Sequence, residues 1–393
     1  MWWWTKASRC ANGRIHLVAS NESDASAESW TVWPTHEIGT DYIVLDAAEI
    51  GGEFGMTRQI SVIGTHPATA VSIRNSMGSI RASFVLNRGQ AFRYIDETPI
   101  VGWRVTADKP IAVLAGVECA RDLALGCNMT AEQLPPLKHW SRRYVVAPGF
   151  AHTTTTATAI HVVVAAENAT TVEVTDSTGF RMDIYLDENE SWPFGPLGGP
   201  GPRPQLGYFI YADKPIGVVS NVMDPGDRFD PTMVVWPPVQ AYVSEAKMPT
   251  LAISDNVTQH FLTIITDTAA TSSIRLNGAV TLIPSSNWKA IPFSGYSYIR
   301  AVVPKGTNLV QGLGGAEFAA IAFGGAYAIE PVQSSYSYSS QWDIGHVVGA
   351  SMDYHGDVSH TVELPSLHAL SATPATLTTS NATIPLTDLS RYR

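Results

Sequence analysis

Three aspartates recur at every third position in the segment MDPGDRFDP: Asp224, Asp227 and Asp230, beside Gly226. Carboxylates gathered in one turn offer oxygens to Ca²⁺, a hard cation that takes about six to eight of them. The spacing is not that of an EF-hand, and a solvated loop with Asx turns and Arg228 as counter-charge accounts for the same residues. The solvated loop is the favoured reading, so no cofactor is expected, with calcium as the alternative. Cys119 and Cys127 are separated by seven intervening residues in CARDLALGC. That spacing suits a local disulfide clip, whereas a zinc pair needs further ligands that the neighbouring sequence does not supply. Cys10 has no obvious partner. His355, His360 and His368 stand without a nearby cluster of carboxylates at ligand spacing. There is no HExxH, P-loop, GxSxG or CxxC motif, so no catalytic residue is nominated and the chain is expected not to be an enzyme. The alternative is a carbohydrate-active hydrolase whose paired carboxylates converge from distant segments.

Asn-X-Ser/Thr sequons occur at Asn21, Asn128, Asn168, Asn189, Asn256 and Asn381. Their number favours a secreted glycoprotein. MWWWTKASRC is too short an apolar stretch for a signal peptide, so the expectation is an extracellular chain lacking upstream sequence. The net charge of −10 comes without a basic cluster, which argues against a nucleic-acid partner. The run from 313 to 329 nearly reaches membrane-span length but carries Glu317 and four glycines, and reads as two buried strands.

The elements that must position these residues are strands. Charged residues are only 15% of the 393, against 45% hydrophobic, 31 glycines and 25 prolines. That balance suits short strands joined by many turns, and no amphipathic helix of three turns is visible. The strands repeat. Pro34, Pro135 and Pro237 align at steps of 101 and 102, and Val71, Val172 and Ile274 align at the same steps. VTADKPIAVLAG and IYADKPIGVVSN share Ala-Asp-Lys-Pro-Ile, read as an Asx turn at Asp108 or Asp213 followed by a strand opening on Pro110 or Pro215. The third copy replaces this turn with GAEF, and RIHLVASN near the N-terminus matches part of KPIGVVSN, as a truncated copy.

The predicted fold is all-β: a tandem repeat of about three β-sandwich-like units of roughly 100 residues, sharing strands across their boundaries, with a propeller-like or fused-barrel arrangement as the alternative. The expected divisions are 1–33 (truncated copy), 34–134, 135–236 and 237–332 (repeats) and 333–393 (a Ser/Thr-rich tail or linker). Trp33, Trp103, Trp140, Trp192, Trp236 and Trp288 recur near repeat landmarks, which is what core packing produces.

At these landmarks the sequence resembles the IgGFc-binding protein N-terminal domain family. The carriers are ADKPIAVLAGVECARDLALGCNMTAEQLPPLKHW with YVVAP, then AENATTVEV, ADKPIGVVSN, DRFDPTMVVWPPVQAY and SSNWKAIPFSGYSYIR. The resemblance spans roughly residues 14 to 340. It implies a repeated β architecture without catalytic apparatus, an adhesive or structural role in mucus, matrix or cell-surface layers, and a Cys119–Cys127 disulfide. The implied partners are extracellular proteins or glycans. Immunoglobulin Fc binding is not carried over, because no Fc-contact motif maps onto these residues.

Overall fold

The computed structural model describes residues 2–9, 15–23, 26–46, 57–121, 127–148, 158–195, 206–223, 231–250, 257–278, 287–326, 335–340, 342, 361–364, 376–379 and 382–385. Among them the regular structure is β, with only short 3₁₀ turns.

The first complete unit runs β4 (Gly39–Ile43), β5 (Arg58–Gly64), β6 (Thr69–Arg74), β7 (Ile80–Leu86), β8 (Ala91–Asp96), β9 (Arg104–Arg121) and β10 (Cys127–Gln133). It is preceded by β1 (Trp2–Arg9), β2 (Ile15–Ser23) and β3 (Ser26–Thr31). The second unit repeats the pattern as β11 (Ser141–Val146), β12 (Thr158–Ala165), β13 (Thr170–Asp176), β14 (Arg181–Leu186), β15 (Ser191–Phe194), β16 (Tyr208–Met223) and β17 (Thr232–Val235). Sheet order is β7-β6-β9-β5-β8 in the first and β14-β13-β16-β12-β15 in the second, with β4 and β10, or β11 and β17, on the other edge of the long strand.

The long strand organises each unit. The first part of β9 pairs with β6 and β4, and its second part pairs with β5 and β10. The changeover falls at Asp108-Lys109-Pro110, between the Val71↔Ala107 and Gly64↔Ile111 pairs. The Asp-Lys-Pro segment expected to form a turn is thus inside a continuous strand. Proline is tolerated there because the ladder on both edges skips those residues, so no N–H is needed.

The third unit comprises β18 (Glu245–Pro249), β19 (Val257–Asp267), β20 (Ile274–Leu276), β21 (Lys289–Ala290), β22 (Tyr296–Val302), β23 (Thr307–Gly312), β24 (Phe318–Ala326) and β25 (Ser335–Ser339). Here the long strand is broken into β23 and β24. The break is a 3₁₀ turn over Leu313–Gly315, in which Gly314 and Gly315 take φ of 65° and 82°, values that glycine adopts freely. The run expected to give two buried strands therefore contributes one, β24. Ser335–Ser339, placed by sequence at the start of a tail, instead pairs with β24 as the last strand of this sheet.

β26 (Thr361–Leu364) joins the N-terminal strands in the order β26-β1-β2-β3, which reproduces β8-β5-β9-β10. The N-terminal copy is thus half a unit. Val18 of β2 joins the core of the third unit, beside Leu262, Ile264, Ala320 and Ala322. Trp30 of β3 packs on Met129 and Ala131 of the first unit.

Complete units share cores in the same manner. Ile160, Val162, Val219 and Val235 of the second unit fill the core of the first, and Phe261, Ile265, Ile321 and Phe323 of the third fill that of the second. Each sheet therefore has one face in its own core, and the strands beside the second half of its long strand turn their other face into its predecessor's. With the half-unit between third and first, the four close into a ring of sandwich-like layers. Their last strands meet at its centre, where β3 packs against β10 and β25, and β17 against β10 and β25.

Candidate functional site

Two sets of residues stand out: apolar tips on the outside and a polar junction at the centre. The outer set lies at turns between strands. Met77 in the β6–β7 turn is 87% exposed, Phe180 in the equivalent β13–β14 turn 66%, and Phe293 before β22 89%. Phe293 also stands at φ 61°, a left-handed conformation that costs an L-residue about 1–2 kcal/mol. Its ring lies over the β13–β14 turn, so that a Cβ added to Gly179 would sit 3.6 Å from Phe293 Cε2. Phe180 and Phe293 thus form a spur across the seam between second and third units. On the outward face of the second unit, Tyr185 and Tyr211 are exposed and Glu173 pairs with Arg181 at 2.6 Å.

The seams beneath these tips differ in chemistry. Arg104 of β9 is held by Asp41 at 2.8 and 2.7 Å and reaches Glu188 in the next unit. At the following seam the equivalent residue is Phe209, stacked on Tyr296 at 6.3 Å.

The hairpin turns themselves are clamped by the repeated Ala-Asp-Lys-Pro-Ile. Asp108 accepts from the Ala70 N–H at 2.8 Å, and Lys109 Nζ donates to the carbonyls of Pro67 and Ala68 at 2.6 and 2.9 Å. Asp213 and Lys214 do the same to Thr171, Asn168 and Ala169. Nearby, Tyr42 OH accepts from Gly39 N and donates to the Ile111 carbonyl, and Tyr144 OH does likewise between Ser141 and Ile216. Each hydroxyl fills the gap where the ladder skips.

At the centre, Glu28 of β3 is fully buried. Its carboxyl accepts from Ser29 N and Thr232 Oγ1 at 2.9 Å, Met233 N at 3.0 Å and Ser337 N at 3.4 Å. Glu132 of β10, also buried, accepts from Val235 N at 3.4 Å. Burial pushes both carboxyls well above the usual range. The hydrogen bonds to Glu28 oppose that rise, and the charge of Glu28 adds to it at Glu132. Around them Ser29 Oγ donates to the Ser337 carbonyl, Ser337 Oγ to the Met233 carbonyl, and Trp33 N to Gln133 Oε1. No sequence pattern flags these glutamates, since each is a lone acid in a strand.

A second buried pair looks nucleophilic. Trp236 Nε1 donates to Ser220 Oγ at 2.6 Å, and Ser220 Oγ is hydrogen-bonded to His161 Nδ1, also at 2.6 Å. Burial lowers the His161 pKa to about 3, which keeps the ring neutral. Phe194 and Tyr208 pack on the ring and Ser220 is fully buried, so neither group meets a substrate.

The residues singled out from sequence are dispersed. Asp224, Asp227, Asp230, Asn256 and Asn381 lie outside the described residues, as do the side chains of Cys119, Cys127, Asn21 and Asn128, whose backbones lie on β9, β10, β2 and β10. Asn168 is exposed on the β12–β13 turn, with Oδ1 accepting from Glu188 N at 3.1 Å. Asn189 takes φ 68° in the β14–β15 turn, and its Oδ1 is buried without a hydrogen-bond partner among the described residues. Of the tryptophans, Trp33, Trp103, Trp140 and Trp236 are buried, but Trp192 is 43% exposed.

The family model described as IgGFc binding protein matches residues 28–324, from the strand that bears Glu28 through to β24. The chain belongs to this family. It is 24% identical over 311 residues to the IgGFc-binding protein of Homo sapiens, an alignment covering 72% of this chain and about 5% of that protein's length. A solved structure of a 1.5-MDa bacterial ice-binding adhesin aligns with 78% of the chain and 98% of its own at 11% identity, with a TM-score of 0.12, too low to bear on the fold. No helix among the described residues is long and apolar enough to cross a membrane.

Proposed function

We propose that this IgGFc-binding family member is an extracellular binding module, a ring-shaped scaffold that presents partner-binding tips at its rim. The observation that carries the reading is the Phe180–Phe293 spur. Two phenylalanines exposed by about two-thirds or more, one of them in a strained backbone conformation, cost solubility and stability. Such features persist where a site uses them. The partner class that fits is an extracellular protein with an apolar recess or a glycan with an apolar face. A mucus or matrix setting is in keeping with the family and with the exposed Asn168 sequon.

The buried carboxyls do not favour hydrolysis. A glycosidase pair must flank a bond in a cleft, and Glu28 and Glu132 are sealed among four strands. The test is binding of the secreted chain to a glycan array, to purified mucin and to immunoglobulin Fc. Binding to one of these that falls at least tenfold in Phe180→Ala/Phe293→Gly supports the reading. Absence of binding to all three would leave the module a passive spacer.

A further inference from the structure

Of the four seams in the ring, three join units that follow one another across short connections. Thr31 leads to Gly39, Gln133 to Ser141 and Val235 to Glu245. The fourth, between the third unit and the N-terminal half-unit, has no short connection: the chain runs on from Ser339 to Thr361 before β26 meets β1. This seam is held by Ser29 Oγ to the Ser337 carbonyl at 2.9 Å, Thr31 Oγ1 to the Ser339 carbonyl at 2.5 Å, Val18 in the third unit's core, and the donors around Glu28. We propose that this seam is an exchange site, at which the third unit of one chain takes up the N-terminal half-unit of a second copy, so that rings open into head-to-tail assemblies.

Three features support it. First, the occupant is already defined: every copy carries the same β2–β3 surface and the same acceptor on β24 and β25, so an incoming half-unit makes every contact that the resident one makes. Second, opening withdraws Val18 from the cluster that holds Leu262, Ile264, Ala320 and Ala322, leaving apolar surface that water disfavours and that Val18 of a second copy covers again. The interface is heterologous, so it propagates or closes as a larger ring.

Third, Glu28 lies at this seam, where it accepts from Ser337 N at 3.4 Å, and its charge reaches Glu132 on the neighbouring β10 of the first unit. The strands packed around them are SAESWT, CNMTAEQ, TMVV and SYSYS, which hold no Lys, Arg or His, so Glu28 and Glu132 face each other without a cation from those strands. Taking the second proton from such a pair is opposed by burial and by the charge of the first. The seam is therefore tightest when the pair is protonated and loosest at alkaline pH.

The experiment mixes full-length chains bearing two different tags at pH 5.5 and pH 8.5, then measures co-purification and mass by light scattering. The expected result is mixed-tag species at whole multiples of the chain mass, several-fold more abundant at pH 8.5. Glu132→Gln, which removes one ionisable acid, should bring exchange at pH 8.5 down to the pH 5.5 level. Single variants Ser29→Cys and Ser337→Cys, mixed after checking each for native circular dichroism, should form a disulfide between chains. Wild-type chains that stay single-tagged at both pH values overturn the proposal. So do mixed-tag species in which the two cysteine variants form no such disulfide, which would place association elsewhere. Neither outcome bears on binding at the Phe180–Phe293 spur, which is read from ligand binding by single chains.

Discussion

Lys109 donates from Nζ to the carbonyl of Ala68 at 2.9 Å, and Ala68 itself stands at φ 49°. The clamp and the strain belong together: the turn between β5 and β6 is held in a left-handed bend that alanine disfavours, and the lysine of the passing strand secures it. Lys109→Met should lower stability by about 1 kcal/mol, the modest net value of an exposed charged hydrogen bond. Ala68→Gly should raise it by a similar amount, about 1 kcal/mol, by removing the Cβ clash. Urea unfolding midpoints decide both; a destabilised Ala68→Gly would mean that the strain is not real.

Ile160 is in the second unit, yet its side chain lies in the core of the first. Truncating a buried isoleucine to alanine costs about 2–5 kcal/mol. With shared cores, Ile160→Ala should shift one cooperative transition of the whole ring. Calorimetry that instead resolved an unaltered unit beside a weakened one would show that the units unfold independently.

Stability should decline on both sides of mildly acid pH. Glu28 and Glu132 have folded pKa values above the unfolded value of about 4.3. They favour the fold fully below that value, and the contribution is lost as pH rises toward the folded pKa. Asp96 is the opposite case. Burial tends to raise it, but hydrogen bonds from Thr98, Tyr94 and Arg81 hold it at about 2, so its contribution is lost as pH falls from about 4 toward 2. Denaturation midpoints across pH should flatten on the alkaline limb in Glu132→Gln and on the acid limb in Asp96→Asn. An unchanged alkaline limb in Glu132→Gln would remove the acid pair as its cause.

Phe293→Gly should leave the fold as stable or more so, because it relieves a left-handed backbone at an almost fully exposed site. Thermal melting checks this. A large drop would assign Phe293 to packing and weaken its reading as a binding tip.

The repeat and its strands are legible in the sequence because identical residues recur at fixed steps, and alternating burial such as Ile60 and Val62 against Ser61 follows the period of a strand. The meaning of Asp108-Lys109-Pro110 is not legible. Asp and Pro are turn formers by local propensity, and only the register of β5 and β6 shows that the Asp108 and Lys109 side chains serve a neighbouring hairpin. Nor is the ring: Val162 and Val163 point into different units, but nothing in the sequence distinguishes the two faces of an apolar strand buried on both sides. Glu28 and Glu132 are hidden for the reason that makes them notable, as each gains its environment from strands far along the chain.

β3 and β25 lie side by side, joined through Ser29 and Ser337. A string of beads lengthens bead by bead when its ends are drawn apart. In this ring two strands from opposite ends of the repeat array are neighbours, so tension applied to them is met first at one seam. The module behaves under load as a buckle rather than as a link in a chain.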